Sequence, residues 1–278
     1  AAAMMNLGVA YFDRIKGDKA DNLKAAIRAY QSALTVRTRT ASPIDHRDTL
    51  RNLVLLHFSE RRWAEAYQTC LDAIAVGADI FLVGIGDAGR MDAIKQTGDL
   101  YTRAAYSALQ LDRYGEALTL LEAGKARMLA EAQSLNHANL SSLTEVECER
   151  LQALRDGIKA LEYEARLPAE HPARRTEQLI NRELDDTRSA LRSLIDTFRV
   201  KYPGFLPEGL SLNDLLALIP VAGALAAPLF TSQGSAIFVV PGGLREVTAE
   251  HVMMLEGFTE SELYALTRES GDNPGWLR

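Results

Sequence analysis

The sequence predicts a mainly α-helical protein: helical repeats first, then a long antiparallel helical hairpin, then a small α/β segment with a β-hairpin. Three observations predict it. A small–large–small stripe recurs three times, as Ala26, Tyr30, Ala33, as Ala66, Cys70, Ala73, and as Ala117, Leu121, Gly124. Two apolar stripes stepping by three and four then run through 151–165 and 180–198. After Tyr202-Pro203-Gly204 short apolar runs separated by Pro and Gly take over.

Composition narrows the function classes. Of 278 residues, 47% are hydrophobic and 24% charged, a globular balance that excludes disorder over most of the length. The net charge of −6, from 31 basic and 37 acidic residues, argues against a nucleic-acid partner, because duplex binding needs a concentrated basic face. Cys70 and Cys148 cannot make a disulfide framework or a zinc site, so a reducing, cytoplasmic setting is expected. No basic stretch leads into an apolar one near the start, so no secretory leader is expected. Leu215 to Leu244 carries no charge. Pro220, Pro228, Ser232-Gln233-Gly234-Ser235 and Pro241-Gly242-Gly243 break it into a helix end and two strands, and no membrane span is read there.

Each stripe marks a helix that nests closely on a neighbour. Val54 precedes Ala66 by twelve residues and Ala105 precedes Ala117 by twelve, while Gly8 precedes Ala26 by eighteen, as if residues around Gly17-Asp18-Lys19 were inserted. A helix–turn–helix unit used three times accounts for this. Between the second and third units lies an apolar, Gly-rich insertion, about Ala75 to Met91, with strand-like Ile80-Phe81-Leu82-Val83. Asn6-Leu7-Gly8…Tyr11 with Ala26…Tyr30…Ala33, followed by Pro43, resembles the tetratricopeptide repeat. The later units are degenerate and spaced more widely than the usual period of about 34 residues. The expectation for 1–140 is therefore a tetratricopeptide-like α-solenoid, with an unrelated Ala-rich helical bundle as the alternative.

The third unit's second helix runs on through Leu120 to Glu131. Residues 141–203 hold the hairpin: Leu151, Leu154, Ile158, Leu161 and Ala165 face Ile180, Leu184, Thr187, Leu191, Leu194 and Phe198, with breaks at Leu167-Pro168 and His171-Pro172. In 204–278, Ser211 caps a helix over Leu212–Leu218. Ala224–Thr231 and Ala236–Val240 form a hairpin, and Thr259-Glu260-Ser261-Glu262 opens another helix. Two strands do not stand alone in water. The hairpin thus expects partner strands that the chain does not supply, and 204–278 is expected to be the least stable part when isolated.

This order resembles the TPR–CHAT proteins, on three stretches: Glu122-Ala123-Gly124-Lys125-Ala126-Arg127-Met128-Leu129-Ala130-Glu131, the long hairpin, and Leu212 through Val240 to Phe258. The resemblance implies that 204–278 opens a caspase-like CHAT domain whose His–Cys dyad lies farther along. It also implies that the chain, from Ala1-Ala2-Ala3 to Gly275-Trp276-Leu277-Arg278, is a fragment cut at both ends. The function it implies is a protein-interaction and regulatory scaffold of a caspase-like cysteine peptidase. The other class is a non-catalytic tetratricopeptide adaptor with a degenerate α/β tail.

No catalytic, cofactor or metal site is expected within the chain. Cys70 lies on a packing stripe, where a buried thiol is inert. Cys148 lies between Glu147 and Glu149, whose charges disfavour a thiolate. Histidines 46, 57, 137, 171 and 251 show no ligand spacing and read as solvated or satisfied core residues. Gly84-Ile85-Gly86-Asp87-Ala88-Gly89 matches a dinucleotide loop in letters only, since a helix core follows where a second strand is needed. Asp185-Asp186 and Glu162…Glu164 read as solvated pairs among arginines.

The remaining candidate is a binding surface for a protein or peptide. Met5, Val9 and Phe12, then Arg51, Leu55 and Phe58, then Thr102, Tyr106 and Leu109, each step by four and three along a first helix. In a tetratricopeptide stack such faces line the concave groove, and Arg51 and Tyr106 are of the types enriched at hot spots. The other reading packs all nine against adjacent units.

Overall fold

A computed structural model describes residues 2–84, 98–134, 142–168, 170–202, 205 and 210–267. The helices are α1 (Ala2–Phe12), α2 (Lys19–Leu34), α3 (Pro43–Ser59), α4 (Trp63–Gly84), α5 (Gly98–Leu109), α6 (Tyr114–Ser134), α7 (Glu145–Arg166), α8 (Glu177–Lys201) and α9 (Leu212–Leu218). Strands β1 (Ala224–Thr231), β2 (Gly234–Pro241) and β3 (Val252–Leu255) follow, then α10 (Glu260–Thr267). The protein is mainly helical with one small antiparallel sheet. The chain divides into two compact units, and α3, α4 and α6 each contribute to both.

The first unit comprises Ala1–Leu53, Asp72–Thr97 and Arg127–Glu208. Asp18 caps α2, its carboxylate accepting from the Asp21 N–H at 3.0 Å. Gly8 lets α1 lie on α2, since a Cβ there would come within 2.6 Å of the Tyr30 ring. Pro43 is the first residue of α3, where its missing N–H costs nothing. Thr144 and Glu147 form a capping box on α7. Lys201, then Tyr202, then the Thr144 N–H hold the Glu147 carboxyl down at about 2. Leu151, Ile158 and Leu161 pack with Ile180, Leu184, Leu191, Ile195 and Phe198 in one core.

Asp185 and Asp186 are exposed as expected, but several other charges of this unit are buried and paired. Glu162 is buried and bound by Arg188 at 2.9 Å, which corrects its reading as an exposed carboxylate. Arg188 also donates to the carbonyls of Thr40 and Arg39. Asp79 receives both Arg39 and Arg192, and Thr40 donates to Asp185 at 2.8 Å. The loop ahead of α3 is thus fastened by side chains of α4 and α8.

The second unit comprises Val54–Leu71, Gly98–Ala126 and Gly209–Arg278. Its two helix–turn–helix segments turn alike. Arg61 and Asp112 both take positive φ, 55° and 59°. The N–H of Arg62 reaches His57 O as that of Arg113 reaches Ala108 O, and Arg61 and Asp112 donate to Phe58 O and Leu109 O. This is the paired six-to-one and five-to-two closure of a helix C-terminus, with a left-handed residue at its first external position. Ala66 and Ala117 follow each turn at the same distance and are both fully buried. Gly124 completes the nesting, since a Cβ there would meet Tyr101 at 2.7 Å.

The sheet has the order β1-β2-β3, with Ala224 opposite Pro241 and Thr231 opposite Gly234, and Ile237 opposite Met253. The third strand corrects the expectation that the hairpin lacks a partner. Pro228 in mid-β1, with no N–H to offer, suits an edge strand. Ala227, Leu229, Ala236, Phe238 and Val240 form the inner face, and they share one hydrophobic core with Phe58, Ala66, Ala105, Tyr106, Ala117 and Leu118.

Two further sequence readings change. Ile80 to Val83 lies within α4 and is helical, because the apolar run is packing surface: Ile80, Phe81 and Val83 are all buried. The apolar helix to weigh against a membrane is therefore Trp63–Val83. Among the described residues it is the one helix long and apolar enough to cross one, and half of it is buried inside protein. The Gly84–Gly89 loop motif lies outside the described residues beyond Gly84, as does His137.

Candidate functional site

The chemistry of the second unit centres on the β1–β2 turn. Thr231 and Gly234 face each other across a two-residue loop, Ser232-Gln233. Thr231 Oγ1 donates to Gly234 O at 2.7 Å and accepts from the Gln233 N–H at 3.2 Å. Gly234 has φ 144°, and a Cβ there would lie 2.5 Å from the Tyr106 hydroxyl. No other residue satisfies both constraints.

Tyr106 on α5 donates its hydroxyl to Gln233 O at 3.3 Å, and Arg61 at the α3–α4 turn donates Nε to Gln233 Oε1 at 3.2 Å. The Tyr106 ring meets Phe58 and Trp63 edge-on at 5.8 and 5.7 Å between centroids. Burial, then the charge of Glu256, pushes its phenol above the ordinary tyrosine range. The phenol therefore stays protonated and can donate. A helix–turn–helix side chain thus reads the backbone of a strand turn.

The nine groove residues fall on both units. Met5, Val9, Phe12 and Arg51 belong to the first, and Leu55, Phe58, Thr102, Tyr106 and Leu109 to the second. Val9 and Leu55 are exposed, while Met5, Phe12, Arg51 and Thr102 are half-buried. Phe58, Tyr106 and Leu109 are buried core residues, so these three do not present a surface to a partner. The physical reason is the width of the apolar face of α5, on which every residue from Ala104 to Leu109 is buried. Of the two proposed hot-spot residues, Arg51 is part-accessible and Tyr106 is an internal contact.

A hydroxyl meets a histidine at Thr248, whose Oγ1 lies 3.1 Å from His251 Nδ1 within the capping box of a single short turn. Cys70 is fully buried, and desolvation drives its thiol far above the usual range. Cys148 lines an open cleft of about 560 Å³ with Gln152, Arg155 and Asp156, without a histidine. A second cleft of about 350 Å³, lined by Asn213, Leu216, Ile219, Leu244 and Arg245, is mostly apolar. Among the described residues no cluster of three or more His, Cys, Asp or Glu could hold a metal ion. His57 departs from its reading as a satisfied histidine. It is buried, its Nδ1 has no hydrogen-bond partner, and burial, then Arg62, lowers its pKa.

The sequence could have flagged the Tyr106–Gly234 contact only in part. Ser-Gln-Gly-Ser marks a turn, but nothing local says which tyrosine it meets. No family model matches the chain, and no curated protein or solved structure matches it either.

Proposed function

We propose that this chain is the protein-interaction and regulatory scaffold of a TPR–CHAT caspase-like cysteine peptidase in the cytoplasm. Its tetratricopeptide-like helices receive a protein or peptide, and its sheet begins the peptidase domain, with the His–Cys dyad beyond Arg278. The observation that supports this reading best is the shared core of the second unit. Helices of two helix–turn–helix segments and the inner face of the sheet bury the same side chains, and Tyr106 and Arg61 hold the Gln233-Gly234 turn. Strain imposed on those helices has a direct mechanical route to the strands. Arg51, with a guanidinium able to grip a carboxylate through two parallel bonds, is the residue of the groove set best suited to an acidic or C-terminal peptide.

The test uses the intact parent protein. Thiol-dependent cleavage is measured with and without Gly234→Ala, which forces the Tyr106 contact apart without touching any cysteine or histidine. The reading expects a parent with a strand-following His and Cys, and an activity whose control changes at least tenfold in the variant. A parent without that dyad would leave the adaptor as the function. Unchanged control in a folded variant would break the link between repeats and sheet.

A further inference from the structure

The cleft of about 350 Å³ in the second unit lies between α9 and the chain that follows β2. Its floor is built from the unit's own core: Leu216 and Ile219 belong to that core, and Leu244 packs against it. Asn213 sits one turn before Leu216 on the same side of α9. Backbone fixes the opposite wall. The Gly223 N–H donates to Pro220 O at 2.8 Å, and the Gly242 N–H donates to Gly223 O at 2.9 Å. A Cβ at Gly242 would collide with Pro220 O, so the two segments meet where only glycine fits. The cleft is thus formed in advance, and a ligand does not bear the cost of ordering it.

Two polar side chains stand on this apolar lining. Arg245 and Asn213 are both exposed, and neither has a hydrogen bond or an ion pair among the described residues. The lining contains no carboxylate to neutralise Arg245. Asp214, next to Asn213, is engaged elsewhere, since it accepts from Ser211 Oγ at 2.6 Å. Val221 completes the rim and is 88% exposed, a large apolar side chain left in water. Apolar walls carrying a few directed polar groups are the make-up of a ligand site.

We infer that this cleft holds the last residue of a peptide, its apolar side chain on Leu216, Ile219 and Leu244 and its terminal carboxylate on Arg245 and Asn213. Charge selects a carboxylate. Arg245 is the one charged residue of the lining, and a guanidinium grips a carboxylate through two parallel bonds. Position selects the chain end. A C-terminal residue carries side chain and carboxylate on one Cα, while Leu244 and Arg245 set apolar surface and charge one residue apart. Inside an extended peptide, neighbouring side chains point to opposite faces, and the next on the same face lies roughly 7 Å away. An internal acidic residue therefore does not offer both groups from one point. Size excludes a helix or a strand, since ligand pockets span about 300–1,000 Å³ and this cleft is at the small end.

The experiment is titration calorimetry on the full chain with acetyl-Gly-Gly-Leu as the probe. It is compared with the same peptide amidated at its C-terminus and with isocaproate, which keeps the leucine side chain and the acid without the peptide. The free-acid peptide should bind. Amidation, Arg245→Gln, and Ala217→Trp, which fills the cleft, should each weaken binding at least tenfold. Val221→Asp, at an exposed rim position, replaces Ala217→Trp where that variant fails to fold. No detectable binding, equal binding of the amide, or binding that survives either substitution overturns the inference. Isocaproate binding as tightly as the peptide also overturns it and assigns the cleft to a small apolar acid.

Discussion

At Gly234 one hydrogen atom decides the fit of a turn. Replacing it with a methyl group adds a left-handed backbone penalty and drives Cβ into the Tyr106 hydroxyl. Gly234→Ala should cost about 3 kcal/mol, from strain and overpacking together. Tyr106→Phe alone should cost about 1 kcal/mol, the worth of one hydrogen bond. The double variant should be more stable than the sum implies, because phenylalanine lacks the atom that clashes. Urea melts of the four proteins check this, and strict additivity would mean that the hydroxyl is not what the methyl meets. His57 gives the second residue-scale prediction. Its pKa is lowered by burial and then by Arg62, with Glu65 opposing, so the unfolded chain takes up its proton first as pH falls. Stability supplied by the neutral ring is complete above the ordinary value of 6.5 and declines as pH drops below it. Denaturation at pH 7.5 and 5.5 should show this loss, and His57→Gln should make the difference smaller.

Among the elements, the α7–α8 hairpin carries the most costly polar contact. Arg188 and Glu162 are both almost wholly buried, and stripping one partner from such a pair costs about 3–5 kcal/mol, while replacing both is close to neutral. Arg188→Leu should therefore unfold the first unit at markedly lower urea, and Glu162→Leu with Arg188→Leu should recover most of the loss. No recovery would place the value of Arg188 in its bonds to the Arg39 and Thr40 carbonyls instead. These elements also show what the sequence can and cannot tell. Ser211 with Asp214 three residues on marks the start of α9, and the helix runs Leu212–Leu218 as read. Thr144 and Glu147 build the same kind of capping box at α7, a signal visible only once the structure is in hand. Ile80 to Val83 misled because four apolar residues in a row look alike in a strand and in a buried helix turn. Val252–Leu255 was missed because four residues carry too little alternation to stand out. The burial of Glu162 depends on a residue 26 positions away, which no local pattern reports. The spacing of Tyr106 fits a groove and a packing face equally well; every residue of α5 from Ala104 to Leu109 is buried, and the sheet turn takes the side that a groove would use.

For the whole molecule, the central claim is that the second unit is one cooperative body in which repeat helices and sheet stabilise each other. Residues 210–267 then owe their stability to Val54–Leu71 and Gly98–Ala126 rather than to their own strands. In β2, Ala236, Phe238 and Val240 are completely buried, so the weakness expected of the isolated segment is the loss of those helices. Cooperative units exchange their amide hydrogens at a common opening free energy. Native-state hydrogen exchange should therefore give the β2 amides of 236–240 and the α5 amides of 104–109 the same opening free energy, and Gly234→Ala should lower both by the same amount. Exchange of the β2 amides at a clearly lower free energy than those of α5, with Gly234→Ala affecting the strands alone, would contradict the account.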